Sequence, residues 1–203
     1  MIDPSKVTNF NRTPEEFEEF LLFTIVVAGK SAYQQAEKLD KFIKKFTGGG
    51  YTPFGIIRTM DMDGTLEFHL RDVKMGQYQR ISSAFRGVAR YFRHNPNTER
   101  FHPLQEVNVK HLECFKGIGM KTSRFFVMHS RRSNAYDYAC LDTHILQWLG
   151  RKGHNVPKTT PNGQKYLDLE KLFLDYAKEM GMMPATLDLQ IWNEAQVSKL
   201  EKS

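Results

Sequence analysis

The sequence predicts an all-helical protein, and three observations carry that prediction. Apolar residues recur at helical spacing in segment after segment, from Phe17, Phe20 and Leu21 near the start to Leu187, Ile191 and Trp192 near the end. Helix starts are marked by capping chemistry, as at Thr13-Pro14-Glu15-Glu16 and Asp142-Thr143. Strand signals are nearly absent, the one candidate hairpin turn being Asp63-Gly64.

The first helix begins with Thr13 as N-cap, Pro14 at the first helical position and two acids facing the positive end of the helix dipole. Its apolar residues Phe17, Phe20, Leu21, Phe23, Ile25, Val26 and Val27 cover almost the whole circumference, which predicts a buried helix. Gly29-Lys30-Ser31 interrupts it. An amphipathic helix over 32–46 follows, with Ala36, Leu39, Phe42 and Ile43 on one face, and then Gly48-Gly49-Gly50 as a hinge. Residues 52–72 admit two readings. Thr52-Pro53 caps a helix through Met60 with a second from Leu66, or Asp63-Gly64 turns a hairpin; helices are favoured. A helix is expected over 76–92 from Ile81, Phe85, Val88 and Tyr91, then a loop at Asn95-Pro96-Asn97. Four more helices are predicted over 110–114, 121–129, 143–151 and 167–180. A last one follows Pro184, and the tail after Val197 is expected to fray.

The chain of 203 residues carries 29 Lys and Arg against 23 Asp and Glu, a net charge of +6, which suits a polyanionic partner without proving one. Two cysteines, Cys114 and Cys140, exclude a four-cysteine metal or iron–sulfur site and argue against a disulfide framework. Both sit among apolar neighbours and are expected as buried thiols. Residues 1–12 carry no apolar signal core, and the apolar run over 20–28 is too short to span a bilayer, so an intracellular protein without membrane contact is expected.

The chemistry concentrates in Phe115-Lys116-Gly117-Ile118-Gly119-Met120-Lys121-Thr122 and, further on, Leu141-Asp142-Thr143-His144-Ile145. A short helix over 109–115, a glycine turn over 116–120 and a second helix from Lys121 form a helix–hairpin–helix. Backbone N–H groups of such a turn point outward and bind an anion, on DNA a phosphate. Gly117 and Gly119 permit positive φ and close approach, Ile118 plugs the turn into a core, and Lys116, Met120, Lys121 and Arg124 flank it. A plain corner between helices explains a G-x-G as well, so the turn alone decides little. Lys121 lies at the positive end of its helix, where the field disfavours an ammonium and favours the neutral amine that attack on a sugar C1′ requires. A solvated, phosphate-contacting lysine is the alternative. Asp142 is a natural N-cap, and it is also the carboxylate that would stabilise an oxocarbenium-like charge or accept a proton. His144 is expected to be structural, hydrogen-bonded beside the motif.

With these residues the chain resembles the helix–hairpin–helix DNA glycosylase superfamily of endonuclease III and the 8-oxoguanine glycosylases. The likeness rests on Leu112, Phe115, Gly117, Ile118, Gly119, Lys121 and Thr122, followed by Leu141, Asp142, His144 and Ile145, and extends loosely from Phe17 to Trp192. It implies two helical lobes, one approximately 30–130 and the other approximately 1–29 with 131–203, with the active site in the cleft between them. It implies Lys121 as Schiff-base nucleophile and Asp142 as the essential carboxylate of a glycosylase with AP lyase activity on duplex DNA. The favoured substrate is an oxidised purine such as 8-oxoguanine and the favoured state a monomer. A monovalent cation at the hairpin is implied, with no other cofactor and no metal. Lys30 and Ser31 fall where relatives carry the residue that fills the gap left by a flipped base, although a helix kink explains them equally well. Phe125, Trp148, Asp188 and Trp192 are candidates for the base pocket, with core packing or helix capping as the alternative for each. The chain departs from endonuclease III in an insertion at Arg131-Arg132-Ser133-Asn134 and in lacking the C-terminal cysteine cluster of the iron–sulfur members. A monofunctional glycosylase in repair or defence, and a non-catalytic DNA-binding module, remain as rival functions.

Overall fold

The computed structural model describes residues 1–46, 50–93, 102–134 and 136–200, with the backbone alone for 198–200. Among the described residues there are ten α-helices, two short 3-10 turns and no strand. The helices are α1 (Pro14–Val27), α2 (Ala32–Lys44), α3 (Pro53–Met62), α4 (Leu66–Asp72), α5 (Tyr78–Tyr91), α6 (Val109–Glu113), α7 (Met120–Ser130), α8 (Thr143–Arg151), α9 (Gly163–Glu179) and α10 (Pro184–Leu200). Gly48 and Gly49 of the expected hinge, the loop at Asn95-Pro96-Asn97 and the last three residues lie outside the described residues. No helix among the described residues is long and apolar enough to cross a membrane.

Two compact units emerge, residues 1–4 with 11–119, and residues 5–10 with 120–203. In the first, α1 starts as its sequence dictates. Thr13 Oγ1 accepts from Glu16 N–H (3.3 Å) while Glu16 Oε2 accepts from Thr13 N–H (2.9 Å), and Pro14 opens the first turn. Phe20, Leu21, Leu22, Phe23, Ile25 and Val26 are all fully buried. The helix packs against α2, α3 and α5, and so belongs to this unit and not with the C-terminal half. Glu18 on α1 is buried and caps the head of α3. It accepts from Phe54 N–H (2.8 Å) and contacts His102 Nε2 (3.2 Å), whose Nδ1 accepts from Leu104 N–H (3.1 Å). The ambiguous stretch over 52–72 is helical. Thr52 caps α3 through Gly55 N–H (3.1 Å), and Gly64, at φ +69°, lets Thr65 N–H return to Met60 O (2.8 Å). Asp63-Gly64 is thus a helix–helix corner. Both α3 and α4 lie on α5, where Ile81, Phe85 and Val88 are fully buried.

The second unit is built on α8, α9 and α10, whose core holds Leu141, Ile145, Leu149, Tyr166, Phe173, Leu187 and Ile191. Helix α9 begins at Gly163, earlier than expected, because its first turn is polar (Gln164, Lys165) and hides the apolar period. The run over 139–141 has no regular structure and is held by two side chains of α9. The Tyr166 hydroxyl donates to Ala139 O (2.8 Å) and accepts from Leu141 N–H (3.1 Å), and Glu170 Oε1 accepts from Ala139 N–H (2.9 Å). The same Glu170 oxygen accepts from Arg124 Nε of α7 (2.8 Å), both side chains being buried. Glu170→Ala would leave the buried guanidinium without its carboxylate, a loss of about 3–5 kcal/mol. A fall in the melting midpoint of roughly 10 °C is expected by differential scanning calorimetry. An unchanged midpoint would mean that the pair contributes nothing.

Candidate active site

In the first unit, α6 is capped by Asn108, whose side chain accepts from His111 N–H (2.8 Å), and it ends in a turn over 114–119. Cys114 is exposed, contrary to expectation, because the short helix ends there and its thiol only reaches back to Lys110 O (3.4 Å). Ile118 is buried as predicted, and Lys116 is exposed. Gly117 alone of the two glycines has positive φ (+96°). A Cβ there would stand 2.8 Å from Arg80 O and 3.2 Å from the Ala84 Cβ, so the turn is pressed against α5. Gly119 has no atom within 4 Å of where a Cβ would stand, so its use is open space and not backbone freedom. Gly117→Ala combines a left-handed alanine with a backbone clash, and about 2 kcal/mol or more of stability should be lost, read as a lower denaturation midpoint. Gly119→Ala should leave the midpoint unchanged.

The Phe115 carbonyl accepts from Ile118 N–H (3.0 Å), and that of Gly117 accepts from the Arg80 guanidinium (2.9 Å).

In the second unit, Lys121 is the second residue of α7 and half-buried, and its ammonium makes no hydrogen bond or ion pair among the described residues. Thr122 is buried behind it. Asp142 is the N-cap of α8. Its Oδ1 accepts from His144 N–H (2.8 Å) and Ile145 N–H (2.9 Å), while Oδ2 takes no hydrogen bond among the described residues. The carboxylate is therefore fixed through one oxygen and keeps the other for chemistry. His144 departs from expectation, since its buried Nδ1 has no partner among the described residues and only its backbone serves the cap.

Electrostatics ties these groups together. The buried Cys140 thiol is pushed well above its ordinary range, first by burial, then by the charge of Asp188, with Lys121 opposing and Asp142 adding. The buried Asp188 carboxyl is pushed up by burial, an effect opposed by its hydrogen bond to His129, and it also feels Asp142 and Lys121. Lys121, Asp142, Asp188 and Cys140 thus share one neighbourhood. Asp188 neither caps a helix nor stands open. Its Oδ2 lies 3.1 Å from His129 Nε2, and His129 Nδ1 is 2.8 Å from Thr8 Oγ1. Sequence reasoning missed His129 and Thr8. The signal for His129 was its place two turns after Lys121, with Phe125 between them at the same spacing. Phe125 stands edge-on to His129 (4.9 Å) and packs on Met128, Cys140 and Ala185. Trp192 follows Asp188 by one turn of α10 and is half-buried.

Other expected contacts are turned inward. Arg124 is buried against Glu170 and lies over the Tyr166 ring (4.9 Å), so it is not a phosphate ligand. The unit needs a cation inside to satisfy Glu170. Trp148 packs edge-on against Phe173 (6.0 Å) and Tyr176 (5.3 Å) in the α8–α9 core, with Lys152 over its ring, which is the packing reading and not the base pocket. In the first unit Lys30 donates to Met75 O (2.7 Å), while Ser31, at the head of α2, is exposed.

No protein-family model matches the chain. Among curated proteins it is similar to the 8-oxoguanine DNA glycosylase/AP lyase of Thermoplasma volcanium, 42% identical over 81 residues, which are 40% of this chain and 37% of that protein. The protein of the same description from Methanocaldococcus jannaschii is 35% identical over 79 residues, 38% of this chain and 36% of its own length. The matched stretch thus spans little more than a third of these curated relatives. Among solved structures, the Methanocaldococcus jannaschii 8-oxoguanine glycosylase/lyase in complex with a 15mer DNA containing 8-oxoguanine superposes with a TM-score of 0.64. It is 25% identical, over 93% of this chain and 85% of that one. The 8-oxoguanine DNA glycosylase of Thermotoga maritima gives a TM-score of 0.61 at 22% identity, with the same coverage.

Proposed function

We propose that this chain, whose helical fold is that of the helix–hairpin–helix 8-oxoguanine glycosylases, is a DNA glycosylase with AP lyase activity on an oxidised purine in duplex DNA. The observation that carries the reading is the pairing of a lysine in the first turn of α7, without a hydrogen bond or ion pair among the described residues, with a carboxylate that spends only one oxygen on capping α8.

The Lys121 amine attacks C1′ of the damaged nucleotide. The C1′–N bond breaks, its electron pair leaves with the base, and the base is protonated. The Asp142 carboxylate offsets the positive charge that grows on C1′ and the ring oxygen, and it accepts the proton that the lysine nitrogen loses. The C1′–O4′ bond then breaks, the ring oxygen takes the proton that Asp142 had accepted, and the electron pair of the lysine nitrogen closes the protonated imine to C1′. Loss of the C2′ proton then expels the 3′ phosphate, which nicks the strand. In the second unit the backbone N–H groups at the head of α7 are phosphate contacts, and in the first the exposed Lys116 and the open space at Gly119 serve the same strand. Phe125 offers a ring face to an extruded base, with Asp188 and Trp192 beside each other on α10.

The test is borohydride trapping on duplex oligonucleotides carrying 8-oxoguanine, an oxidised pyrimidine, uracil or an abasic site. A covalent adduct on 8-oxoguanine DNA is expected. Base release without an adduct would make the enzyme monofunctional, and binding without release would make the chain a recognition module.

A further inference from the structure

Two cations of the first unit, Arg80 and Lys30, turn inward onto backbone carbonyls. Arg80, on α5, spends its guanidinium on three acceptors from three places in the chain. Nη1 donates to Gly117 O (2.9 Å), Nη2 to Ile25 O (2.8 Å) and Nε to Gln77 Oε1 (2.7 Å). Ile25 lies in the last turn of α1, where carbonyls lack helical partners and the dipole favours a cation. Burial lowers the Arg80 pKa from its ordinary value, a sign that the charge is held away from water. Lys30 makes a parallel tie from the end of α1 to Met75 O (2.7 Å), and burial, with the neighbouring Arg80 charge, pushes its pKa down to about 8.

Between α4 and α5 the chain holds Lys74 at φ +53°, Gly76 at +73° and Gln77 at +48°. Two of these are not glycine, and such a conformation persists only where the surroundings impose it. At Lys74 it closes α4, with Lys74 N–H donating to Arg71 O (2.9 Å) and Met75 N–H to Leu70 O (2.9 Å), whereas Lys30 Nζ would be 3.4 Å from a Cβ at Gly76 and Arg80 holds the Gln77 side chain. Three segments are thereby tied together: 28–31, 73–77 and the hairpin turn over 114–119. Ser31, Lys74, Gln77, Lys116 and Gly119 are among their exposed members.

We propose that Arg80 is a positioning residue for DNA binding, locking the hairpin turn and the two neighbouring loops into one preformed surface without touching a phosphate itself. The proposal rests on the reading of the hairpin as a DNA contact. Holding the Gly117 carbonyl inward keeps the turn from rearranging, so its outward N–H groups meet the backbone without a further ordering penalty. A lysine could not replace this arginine, since one ammonium cannot span three divergent acceptors.

The experiment is fluorescence anisotropy with a duplex bearing a tetrahydrofuran abasic analogue, at several salt concentrations, for wild type, Arg80→Met and Arg80→Lys. Active-site titration by borohydride trapping on natural abasic DNA fixes the folded fraction. Arg80→Met should bind tenfold or more weakly with the same slope of log affinity against log salt, and its trapping rate at saturating DNA should match wild type. Arg80→Lys keeps the charge and most of the packing, and so stays informative if the methionine variant does not fold. It should lose several-fold with an unchanged slope. A slope reduced by about 0.9 in Arg80→Met would make Arg80 a phosphate contact and overturn the proposal. Unchanged affinity in Arg80→Lys and in any folded Arg80→Met would overturn it too, leaving the DNA reading intact. No binding by wild type would sink both.

Discussion

Lys121→Ala is expected to abolish the borohydride-trapped adduct, with a loss of roughly 10³-fold or more, about 4 kcal/mol of transition-state stabilisation. No other group supplies the amine nitrogen of the imine in the proposed mechanism. The variant should be otherwise intact. Lys121 is only half-buried, makes no bond among the described residues, and sits where alanine is the best helix former. Its circular dichroism and melting midpoint should match wild type, and binding to an abasic analogue should persist. An adduct of wild-type yield in the variant would assign the nucleophile elsewhere.

Asp142→Asn has the second large expected effect, and it separates two roles that share one side chain. Asparagine ranks with aspartate as an N-cap, so its Oδ1 still accepts from the N–H groups of His144 and Ile145 and α8 stays in place. What disappears is the charge, and with it both the stabilisation of the sugar cation and the proton acceptor. A fall in single-turnover base release of about 10²–10⁴-fold is expected. Asp142→Ala should show the same loss of rate together with about 1 kcal/mol of lost stability from the missing cap. If Asp142→Asn released base at the wild-type rate, Asp142 would be a cap and nothing more.

The helical character of the chain was legible because it depends on local chemistry. Thr13-Pro14-Glu15-Glu16 forms a capping box wherever it is followed by a helix, and an apolar surface around the full circumference of α1 has to be buried. The pairing of a glycine turn with Lys121 and of Asp142 with the head of α8 was legible for the same reason. Helix heads and turns are properties of a few consecutive residues. Where local chemistry was balanced, as at Asp63-Gly64, the sequence left two readings, and packing of α3 and α4 on α5 decided between them.

What the sequence alone could not determine is the direction in which long polar side chains point. Arg124 and Lys30 read as DNA-facing residues and Arg80 carried no signal, yet each is claimed by acceptors distant in the chain: Glu170, the Met75 carbonyl, and the carbonyls of Ile25 and Gly117. Thr8, His129 and Asp188 form a hydrogen-bonded chain from segments far apart in sequence, and no motif announces it. The physical reason is common to these cases. A buried acceptor left unpaired is expensive, so the folded interior recruits whichever donor the tertiary arrangement brings within about 3 Å. Periodicity and capping determined the helices and placed the two proposed reactive side chains at helix heads; only the assembled packing decided which charges were left exposed and which hold the protein together.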